Sequence, residues 1–435
     1  MDRALAAAFL DGPWDRHAMV RRARISLRSA PADLDAVVSG VVAAHHRPPH
    51  DAPRALADLI AVLRARTRVA GHSGRPSVVR PALPVGRMGR VRWPVPEIAT
   101  VGDLGDWLHV DAGTLAWLAD VKGLERRAGD ERLRHYRYAW ITRSSGVPRV
   151  IEAPKGRLKA AQRQILREIL VHIPIHDAAH GFRPSRSAIT HAAAHTGQRI
   201  VLRLDLQDFF ASVAAGRMFG ILRHAGYPES VAHTLTALVT NAVPARWWAT
   251  VPRPTQLPQI TAHHHLGRRL AGAHLPQGAP TSPALANLCA FALDRRMSAL
   301  AAASGARYTR YADDLVLSGG AELQRRSHTV CAAIAAITSD EGFRLQDRKT
   351  RMMSRAGRQE VCGIVVNDHP NVARAEVDRL KAILHALERD GHATSDRLGV
   401  VDLRTHLRGR IDWVTAVNPV KGARLRARHD AVSWA

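Results

Sequence analysis

The sequence predicts an α+β fold, in which helical segments at both ends flank a central region of mixed strands and helices. Apolar residues recur at helical spacing from residue 1 to about 70 and again from Ala373 onward. Between these segments, short and largely apolar runs such as 200–204 and 315–317 are bounded by polar or acidic residues, as buried strands are. The chain has 435 residues, which is enough for two or three folded units and a large core.

The composition indicates a folded protein with a polyanionic partner. Hydrophobic residues make up 46% of the chain, which argues against global disorder. Lys and Arg total 63 against 38 Asp and Glu, a formal charge of +25 that is spread over the whole sequence. Such an excess of positive charge favours binding to a polyanion. The alternative is that a basic, arginine-rich proteome accounts for the charge.

The three cysteines, Cys289, Cys331 and Cys362, lie far apart and form no Cys-x-x-Cys pair. This spacing argues against a disulfide framework or a cysteine zinc site and fits a reducing cytoplasm. The first apolar stretch, Ala4 to Leu10, is short and is closely followed by charged residues. We therefore expect a cytoplasmic protein with no signal peptide and no membrane span.

The first hundred residues divide into a helical extension and a linker. Residues 1–70 are rich in Ala, Leu and Arg at helical spacing, and one helix face is shared by Leu56, Leu59, Ile60 and Leu63. Residues 71–100 are rich in Gly, Pro and Arg without periodicity, which predicts a basic linker. A further helical segment, Val101 to Leu124, opens the region 101–199.

A strand-like hairpin and an amphipathic helix follow. The sequence alternates over 136–141, turns at 144–146 and returns at 149–151. Pro154 ends the hairpin, and the next segment carries an apolar helical stripe with basic residues on its other faces. The stripe comprises Leu158, Ala161, Ile165, Leu166, Ile169 and Leu170.

Three aspartates mark the ends of predicted strands in the centre of the chain. The strand 200–204 ends on Asp205, and Asp313 and Asp314 lie between two strand-like runs, at the tip of a predicted hairpin. Strands that end in carboxylates can bring hard oxygen ligands together at one edge of a sheet, as a magnesium ion near a phosphate requires. The three acids predict phosphoryl or nucleotidyl transfer, although Asp313 and Asp314 in isolation would more often form a solvated turn.

Three sequence blocks resemble, in sequence and in order, those of reverse transcriptases. They are GVPRVIEAP at 146–154, LPQGAPTSP at 275–283 and YADD at 311–314. The resemblance covers roughly the last three quarters of the chain and implies a right-hand polymerase with an N-terminal helical extension. Its parts would be N-terminal helices and fingers in 101–199, a palm with interleaved fingers elements in 200–365 and a helical thumb in 366–435.

The resemblance also implies a metal-dependent mechanism. Extension of a nucleic acid uses two magnesium ions about 4 Å apart. The ions, which Mn²⁺ could replace, would be held by Asp205, Leu206, Asp313 and Asp314. The three aspartates would be the catalytic acids, and Lys349 would protonate or electrostatically stabilise the leaving pyrophosphate, unless it is a solvated lysine.

The resemblance implies that four residues would contact the incoming nucleotide. Arg149 would bind its triphosphate. Phe210, five residues after Asp205, would lie under the sugar and exclude a 2′-hydroxyl, so that deoxynucleotides are selected. Gln277 and Gly278 would lie against the nucleotide, since glycine permits close approach of the backbone. The alternatives are a solvated arginine, a core phenylalanine and a plain loop-to-helix turn.

Two blocks resemble those of retron reverse transcriptases in particular. HAAAH, from His191 to His195, resembles the retron NAxxH motif with His191 in place of Asn, and Val361-Cys362-Gly363 resembles the VTG motif with Cys362 in place of Thr. In retrons these blocks help to recognise the cognate RNA, which implies RNA contacts here; the alternative is packing of small residues. No cysteine or acid accompanies the histidines at a zinc-site spacing, so we expect no zinc.

Together the blocks imply RNA-templated DNA synthesis in a retron-type antiphage system. Such an enzyme copies part of a structured noncoding RNA into RNA-linked single-stranded DNA (msDNA). Its partners would be that RNA as template and primer, deoxynucleoside triphosphates, the DNA product with its RNA–DNA hybrid, and an effector protein, with no membrane. Arg404 and Arg408 of the thumb would track the nucleic-acid backbone.

Three other interpretations remain open. An antiphage reverse transcriptase that works without a retron RNA is the nearest of them. A group II intron reverse transcriptase is disfavoured, because we expect no maturase or endonuclease domain after the thumb. A noncatalytic RNA-binding scaffold is disfavoured because a binding module needs no metal carboxylates.

Overall fold

The computed structural model describes residues 1–27, 31, 33–67, 86–142, 146–390 and 402–434. The chain divides into two compact units, each built from two stretches of sequence. The first comprises Met1–Pro174 and Val213–Leu285, and the second comprises Ile175–Ser212 and Ala286–Ala435. Within the described ranges, no helix combines the length and the apolar character needed to cross a membrane.

Helices dominate the first unit. Numbered in chain order over the whole molecule, they are α1 (Asp2–Leu10), α2 (Arg16–Ser26), α3 (Leu34–Ala44), α4 (Pro53–Thr67), α5 (Val101–Trp107), α6 (Ala112–Ala119), α7 (Gly156–Glu168), α10 (Ala215–His224), α11 (Glu229–Val239), α12 (Ala245–Trp248) and α13 (Leu257–Ala271). Short 3₁₀ helices lie at Glu125–Arg127, Glu131–Leu133 and Leu170–His172. The strands of this unit are β1 (Tyr136–Thr142) and β2 (Pro148–Pro154).

Helices α1 to α4 pack around a common core that includes Leu5, Phe9, Met19, Val37, Val41, Leu56 and Ile60. Arg22 of α2 donates hydrogen bonds to the carbonyls of Ala8 and Phe9, which satisfies acceptors at the end of α1. Within the described residues, helices α1 to α4 agree with the helical spacing predicted over residues 1–70, and the last of them ends at Thr67. Residues 86–100 contain neither helix nor strand, and the earlier part of the predicted basic linker, up to residue 85, lies outside the described residues.

The predicted hairpin is present as the antiparallel pair β1 and β2, with Trp140 opposite Val150 and Ile141 opposite Arg149. Burial alternates along β2, so that Val150 is buried and Arg149 is exposed. Two of the three residues of the predicted turn at 144–146, residues 144 and 145, lie outside the described residues. The predicted amphipathic helix is α7, whose buried residues include Leu158, Ala161 and Ile165.

A four-stranded antiparallel sheet forms the centre of the second unit. Its strands are β3 (Ile200–Asp205), β4 (Ala306–Tyr311), β5 (Asp314–Gly319) and β6 (Arg351–Ser354), in the order β4-β5-β3-β6. A smaller sheet has the order β7-β8-β9, from β7 (Glu360–Val361), β8 (Ile364–Val365) and β9 (Asn371–Val372). The predicted strands on either side of the aspartates are therefore confirmed.

The helices of the second unit are α8 (Ala188–Ala193), α9 (Phe209–Ser212), α15 (Phe291–Ala303), α16 (Ala321–Arg325), α17 (Ser327–Asp340), α18 (Arg374–Asp390), α19 (Leu403–Val417) and α20 (Pro419–Ala431). A 3₁₀ helix spans Asp347–Lys349, and α14 (Ser282–Cys289) crosses from the first unit to the second. The mixture of helices and sheets agrees with the predicted α+β class, and the boundaries of fingers, palm and thumb stay predictions.

Helices α18, α19 and α20 share one core with the small sheet. The buried residues there include Leu380, Leu384, Leu407, Ile411, Val361 and Ile364. Residues of α18 recur every three or four positions on this face, as the helical spacing after Ala373 predicts. The β7–β8 segment is thereby fixed between these helices and the residues of the larger sheet that join the same core, Val201 and Val316.

Candidate active site

The register of the central sheet brings the three aspartates to one end of it. Asp205, the last residue of β3, is paired with Asp314, the first residue of β5. Asp313 lies in the two-residue turn between β4 and β5, and its carbonyl accepts a hydrogen bond of 2.8 Å from the amide of Leu206. Asp205, Asp313 and Asp314 therefore converge at one end of the sheet, as the sequence predicted.

A buried arginine stabilises the turn that contains Asp313. Arg310 is fully buried, and its guanidinium donates to the carbonyl of Ala312 at 3.0 Å and to the side chain of Asn287 at 3.1 Å. Asp294 accepts from the same guanidinium at 2.8 and 2.6 Å. Ala312 has a positive φ of 56°, and a Cβ on Gly181 would lie 2.6 Å from its amide nitrogen. The turn conformation thus depends on close packing and on a buried ion pair.

Asp205 is paired with the predicted catalytic lysine. The Lys349 ammonium donates to both carboxylate oxygens of Asp205, and the backbone carbonyl of Asp205 accepts from the amide of Gln346 at 2.7 Å. Lys349 ends the short 3₁₀ helix, and 55% of its side chain is exposed. Lys349 is thus partly solvated, as in the alternative interpretation. It also contacts the acid cluster, which comprises Asp205, Asp313 and Asp314.

Asp314 is held by two side chains that the sequence did not link to it. Arg203 of β3 donates through Nε to both carboxylate oxygens at 2.9 Å, and its second nitrogen lies 2.9 Å from Oδ2. The thiol of Cys362 points at the same Oδ2, with a sulfur–oxygen distance of 3.6 Å. Arg203 was missed as a site residue, and its only signal was a charged residue inside an apolar strand.

The protonation of the acids reflects their crowding. Burial raises the pKa of Asp313, and the charge of Asp205 raises it further, whereas Lys349 lowers it. Burial also raises the pKa of Asp314, against which the hydrogen bonds from Arg203 act. Poorly solvated carboxylates that repel each other are stabilised by a cation.

The donor set fits a hard divalent ion such as Mg²⁺ or Mn²⁺. Asp205 and Asp313 offer carboxylate oxygens, the ligands that these ions prefer. Leu206 has a buried apolar side chain, so it could contribute only its backbone carbonyl. Arg203 donates to both carboxylate oxygens of Asp314, as Lys349 does to those of Asp205, and the supporting role of Asp314 stays a prediction.

The two adjacent phenylalanines have different surroundings. Phe209 is 3% exposed, with its ring 5.7 Å from that of Phe343 and 5.6 Å from the guanidinium of Arg310. Phe210 is only half-buried, and its ring lies 6.0 Å from that of the exposed Phe182. The core position therefore belongs to Phe209, and Phe210 keeps an accessible face.

The predicted nucleotide-binding residues of the first unit lie on strand β2 and on the loop that contacts it. Arg149 is exposed on β2. Glu152, a buried residue of the same strand, donates a hydrogen bond of 2.8 Å from its backbone amide to the carbonyl of Gln277. Gly278 has a φ of +130°, and a Cβ there would lie 2.9 Å from the Glu152 carbonyl. The structure thus brings Gln277 and Gly278 against the strand of Arg149, as glycine permits and larger residues do not.

A buried polar cluster supports this loop, and sequence reasoning missed it. The Glu152 carboxylate is 1% exposed; it accepts from Asn241 at 2.6 Å and lies 2.9 Å from Nε2 of His274. Burial lowers the pKa of His274, but the charge of Glu152 and the hydrogen bonds to Glu152 and to the Gly272 carbonyl together outweigh it and leave the pKa raised. The signal in the sequence was Glu152, a charged residue within the returning strand of the predicted hairpin.

The histidines of the HAAAH block are buried. His191 and His195 are both 0% exposed, and both lie within hydrogen-bonding distance of the Thr309 hydroxyl, at 2.6 and 2.7 Å. His195 also contacts the hydroxyl of Ser318 at 2.7 Å. Burial lowers the pKa of His191 to about 2 and that of His195 to about 3, so both are neutral. This arrangement favours the packing alternative over direct RNA contact by the imidazoles.

The VCG block forms the turn between β7 and β8. Cys362 and Gly363 have φ values of 49° and 78°, as a two-residue turn of type I′ requires, and Val361 before them is buried. The turn places Cys362 beside Asp314, next to the candidate active site. Arg404 and Arg408 are exposed one helical turn apart on α19, where a phosphate backbone could reach them.

Comparison with known proteins identifies the family. Residues 141–382, more than half of the chain, match the family "Reverse transcriptase (RNA-dependent DNA polymerase)". The chain belongs to the reverse transcriptase family. This confirms the resemblance drawn from the GVPRVIEAP, LPQGAPTSP and YADD blocks.

Similar curated proteins include several retron reverse transcriptases. The Mx65 and Mx162 retron reverse transcriptases of Myxococcus xanthus are 41% and 37% identical over 68% and 75% of this chain. The Ec86 retron reverse transcriptase of Escherichia coli is 28% identical over 64% of this chain and 74% of its own. The chain spans 65% of the length of each Myxococcus relative. The resemblance to the retron type is thereby confirmed.

Among solved structures, telomerase from Candida albicans in complex with a telomeric RNA fragment aligns with 67% of this chain and 56% of its own. The TM-score is 0.33 and the identity 10%, which is too low to compare folds.

Proposed function

We propose that this protein is an RNA-directed DNA polymerase of a retron-type system, which copies a structured noncoding RNA into single-stranded DNA linked to that RNA. The position of Asp205, Asp313 and Asp314 at one end of the central sheet carries the proposal. All three lie within the residues that match the reverse transcriptase family. A noncatalytic RNA-binding scaffold would have no use for three converging carboxylates.

The acid cluster would hold the ions and keep them in place. When bound, two divalent cations would supply the charge that activates the primer hydroxyl and neutralises the leaving pyrophosphate. Asp205 and Asp313 would be the principal ligands, joined by the carbonyl of Leu206. Arg203 fixes the orientation of Asp314, and Lys349 orients Asp205 while it adds positive charge beside the site where pyrophosphate would leave.

The remaining site residues would select and bind the nucleotide. The accessible face of Phe210 supports a role as the steric gate against a 2′-hydroxyl, since Phe209 already fills the core position. In the first unit, the exposed Arg149 would bind phosphate oxygens, and Gln277 and Gly278 would contact the nucleotide from the adjacent loop.

The retron character of the proposal draws on the relatives and on the positive charge. The retron relatives favour a noncoding RNA as template and primer. The net charge of +25 and the exposed Arg404 and Arg408 favour binding to nucleic-acid phosphates. A role in antiphage defence and an effector protein as partner stay predictions from the resemblance.

Primer extension by an Asp313→Asn variant tests the catalytic part of the proposal. We expect DNA synthesis on a generic primed template to be nearly abolished, because a neutral amide is a poor ligand for the ion. The control is Asp368→Asn, which changes an aspartate with a 72% exposed side chain in the same unit and should extend normally. Near-normal extension by a folded Asp313→Asn protein would refute the assignment.

The nucleic acid that copurifies with the protein tests the retron part. A specific structured RNA joined to a short DNA should be present, and the DNA should shorten by its attached RNA after ribonuclease digestion. Synthesis on that RNA should need no added primer. Active protein that carries only unlinked DNA and shows no RNA preference would instead identify a reverse transcriptase that works without a retron RNA.

A further inference from the structure

Three donor atoms of different chemistry converge beside the acid cluster. A ring nitrogen of His191, a carboxylate oxygen of Asp314 and the sulfur of Cys362 all lie within 4.8 Å of one another. They come from α8, from β5 and from the β7–β8 turn. The sulfur–oxygen distance of 3.6 Å is close to the separation of about 3.5 Å that two ligands of one tetrahedral zinc ion have.

The His191 ring has one nitrogen that no described residue bonds to. Nε2 of His191 is buried and has no hydrogen-bond partner among the described residues, and the whole side chain is 0% exposed. Buried polar atoms in folded proteins nearly always have a partner. A bound metal ion would supply one.

The other nitrogen of His191 is placed as in a metal-bound histidine. Ligation through Nε2 requires the ring proton on Nδ1, which then donates to the Thr309 hydroxyl at 2.6 Å. Thr309 can donate onward to Nε2 of His195 at 2.7 Å, and Nδ1 of His195 can donate to Ser318 at 2.7 Å. With this direction of donation, every contact in the series has one donor and one acceptor, and the lone pair on Nε2 is free.

We propose that His191, Cys362 and Asp314 form a binding site for a soft divalent ion, for which Zn²⁺ is the best match. A nitrogen, a sulfur and an oxygen donor suit Zn²⁺ and do not suit Mg²⁺, which prefers oxygen alone. Three protein ligands leave the fourth position to water. On binding, the Cys362 thiol loses its proton to solvent and the thiolate becomes the ligand. Spacing along the sequence predicted no zinc here, because Cys362 and Asp314 approach His191 only in the fold.

Zinc at this site would inhibit DNA synthesis, and this consequence rests on the proposed function. The ion would compete with Arg203 for Asp314, whose carboxylate lies at the end of the sheet with Asp205 and Asp313. The binding itself does not depend on catalysis, so the two claims can be tested separately.

Two substitutions replace the nitrogen and sulfur donors with residues that the retron blocks themselves carry. His191 and Cys362 are the positions at which the chain departs from the retron blocks, so His191→Asn and Cys362→Thr introduce the residues that those blocks carry. The matched control is Cys331→Ser, since Cys331 is a half-buried cysteine of α17 outside this cluster.

Cobalt is the spectroscopic probe for the site, because a cobalt–thiolate bond gives a charge-transfer absorption that nitrogen and oxygen ligands do not give. We expect purified, metal-stripped protein to show this band at one equivalent of Co²⁺ and to lose it when Zn²⁺ is added. The band should be absent in Cys362→Thr and unchanged in Cys331→Ser. In His191→Asn the apparent affinity for Co²⁺, measured from the band, should fall by about tenfold or more. Wild-type protein without the band, or a band that survives in Cys362→Thr, would overturn the proposal.

Primer extension at fixed Mg²⁺ with increasing Zn²⁺ tests the inhibition. Each variant is compared with its own zinc-free rate, and half-inhibition should need about tenfold more Zn²⁺ in His191→Asn and Cys362→Thr than in wild type or Cys331→Ser. Equal inhibition of all four proteins would mean that zinc acts at the magnesium site, and would overturn the inhibitory role. A cobalt band in protein that makes no DNA even without zinc would refute the proposed function and leave the zinc site standing.

Discussion

The ammonium group of Lys349 donates hydrogen bonds to both carboxylate oxygens of Asp205, with nitrogen–oxygen distances of 2.9 and 2.8 Å. The lysine that the sequence assigned to the leaving group is thus bound to a proposed metal ligand. It also lowers the pKa of Asp313, the neighbouring acid, by its charge. Lys349 therefore acts on two of the three acids, Asp205 and Asp313.

Removal of this charge should shift the pH dependence of DNA synthesis. The pKa of Asp313 already lies above its ordinary value, and without Lys349 it should rise further. Because a carboxylate must be deprotonated to bind the ion, the acid limb of the kcat/KM profile of Lys349→Met should move to higher pH. Lys349→Arg keeps the charge and should leave the limb near its wild-type position. An acid limb that is the same in Lys349→Met and wild type would contradict this role.

The buried pair of Arg310 and Asp294 should be costly to break on one side only. Arg310→Met leaves the Asp294 carboxylate buried without its partner and should lower the free energy of unfolding by about 3–5 kcal/mol. Adding Asp294→Leu removes the orphaned charge and should restore part of the loss. Urea denaturation measures both.

The control for this pair is Arg325→Met, which breaks an exposed ion pair with Glu322 and should change stability by less than about 1 kcal/mol. If the double variant at 310 and 294 is no more stable than Arg310→Met alone, the loss does not arise from an uncompensated charge.

Alanine at Gly278 should impair nucleotide binding. Its φ of +130° and the close carbonyl of Glu152 leave no room for a Cβ, so Gly278→Ala should cost about 1–3 kcal/mol in local strain and raise the KM for deoxynucleotides by displacing Gln277. The matched control is Gly220→Ala, on the exposed side of α10 where a Cβ meets nothing within 4 Å. That change should stabilise the helix by about 0.5–1 kcal/mol and leave KM alone. An unchanged KM in Gly278→Ala would separate this loop from the nucleotide site.

The two phenylalanines should respond differently to truncation. Phe210→Ala should raise the use of ribonucleotides relative to deoxynucleotides by about tenfold or more, because it removes bulk from an accessible face. Phe209→Ala should leave that ratio unchanged and instead lower stability by about 3–5 kcal/mol, since its ring is buried. Incorporation of the two sugars by both variants is the measurement. A ratio altered by Phe209→Ala alone would reverse the assignment.

Local sequence patterns predicted much of the fold and the centre of the site. Alternation over 136–151 predicted the β1–β2 hairpin, and helical spacing predicted α4, α7 and α18. Asp205 and Asp313 could be found because each follows or interrupts an apolar strand, and because the order of the surrounding blocks resembles a known family. These features depend on residues that are close together in the sequence, so a local sequence pattern can reveal them.

The residues that hold the site in place could not be found in the same way. Arg203 meets Asp314 across 111 positions of sequence, and His274 meets Glu152 across 122. Such pairs depend on strand register and burial, which no short window of sequence contains. The same limit applies to the proposed zinc site, which the sequence did not predict. Its cysteine, Cys362, is far from His191 along the chain, but their donor atoms lie within 4.8 Å of each other in the fold.

The order β4-β5-β3-β6 has a consequence for amide exchange with solvent. Strands β3 and β5, which carry Asp205 and Asp314, are hydrogen-bonded to a neighbour on both sides, whereas β6 is a four-residue strand at the edge. Short edge strands fray at a lower free energy than the interior of a sheet. Lys349 lies two residues before β6, so fraying of that edge would carry its ammonium away from Asp205, while β3 keeps its hydrogen bonds to β5. The lysine of the site is thus attached to an edge of the sheet, whereas Arg203, Asp205 and Asp314 lie on its two interior strands.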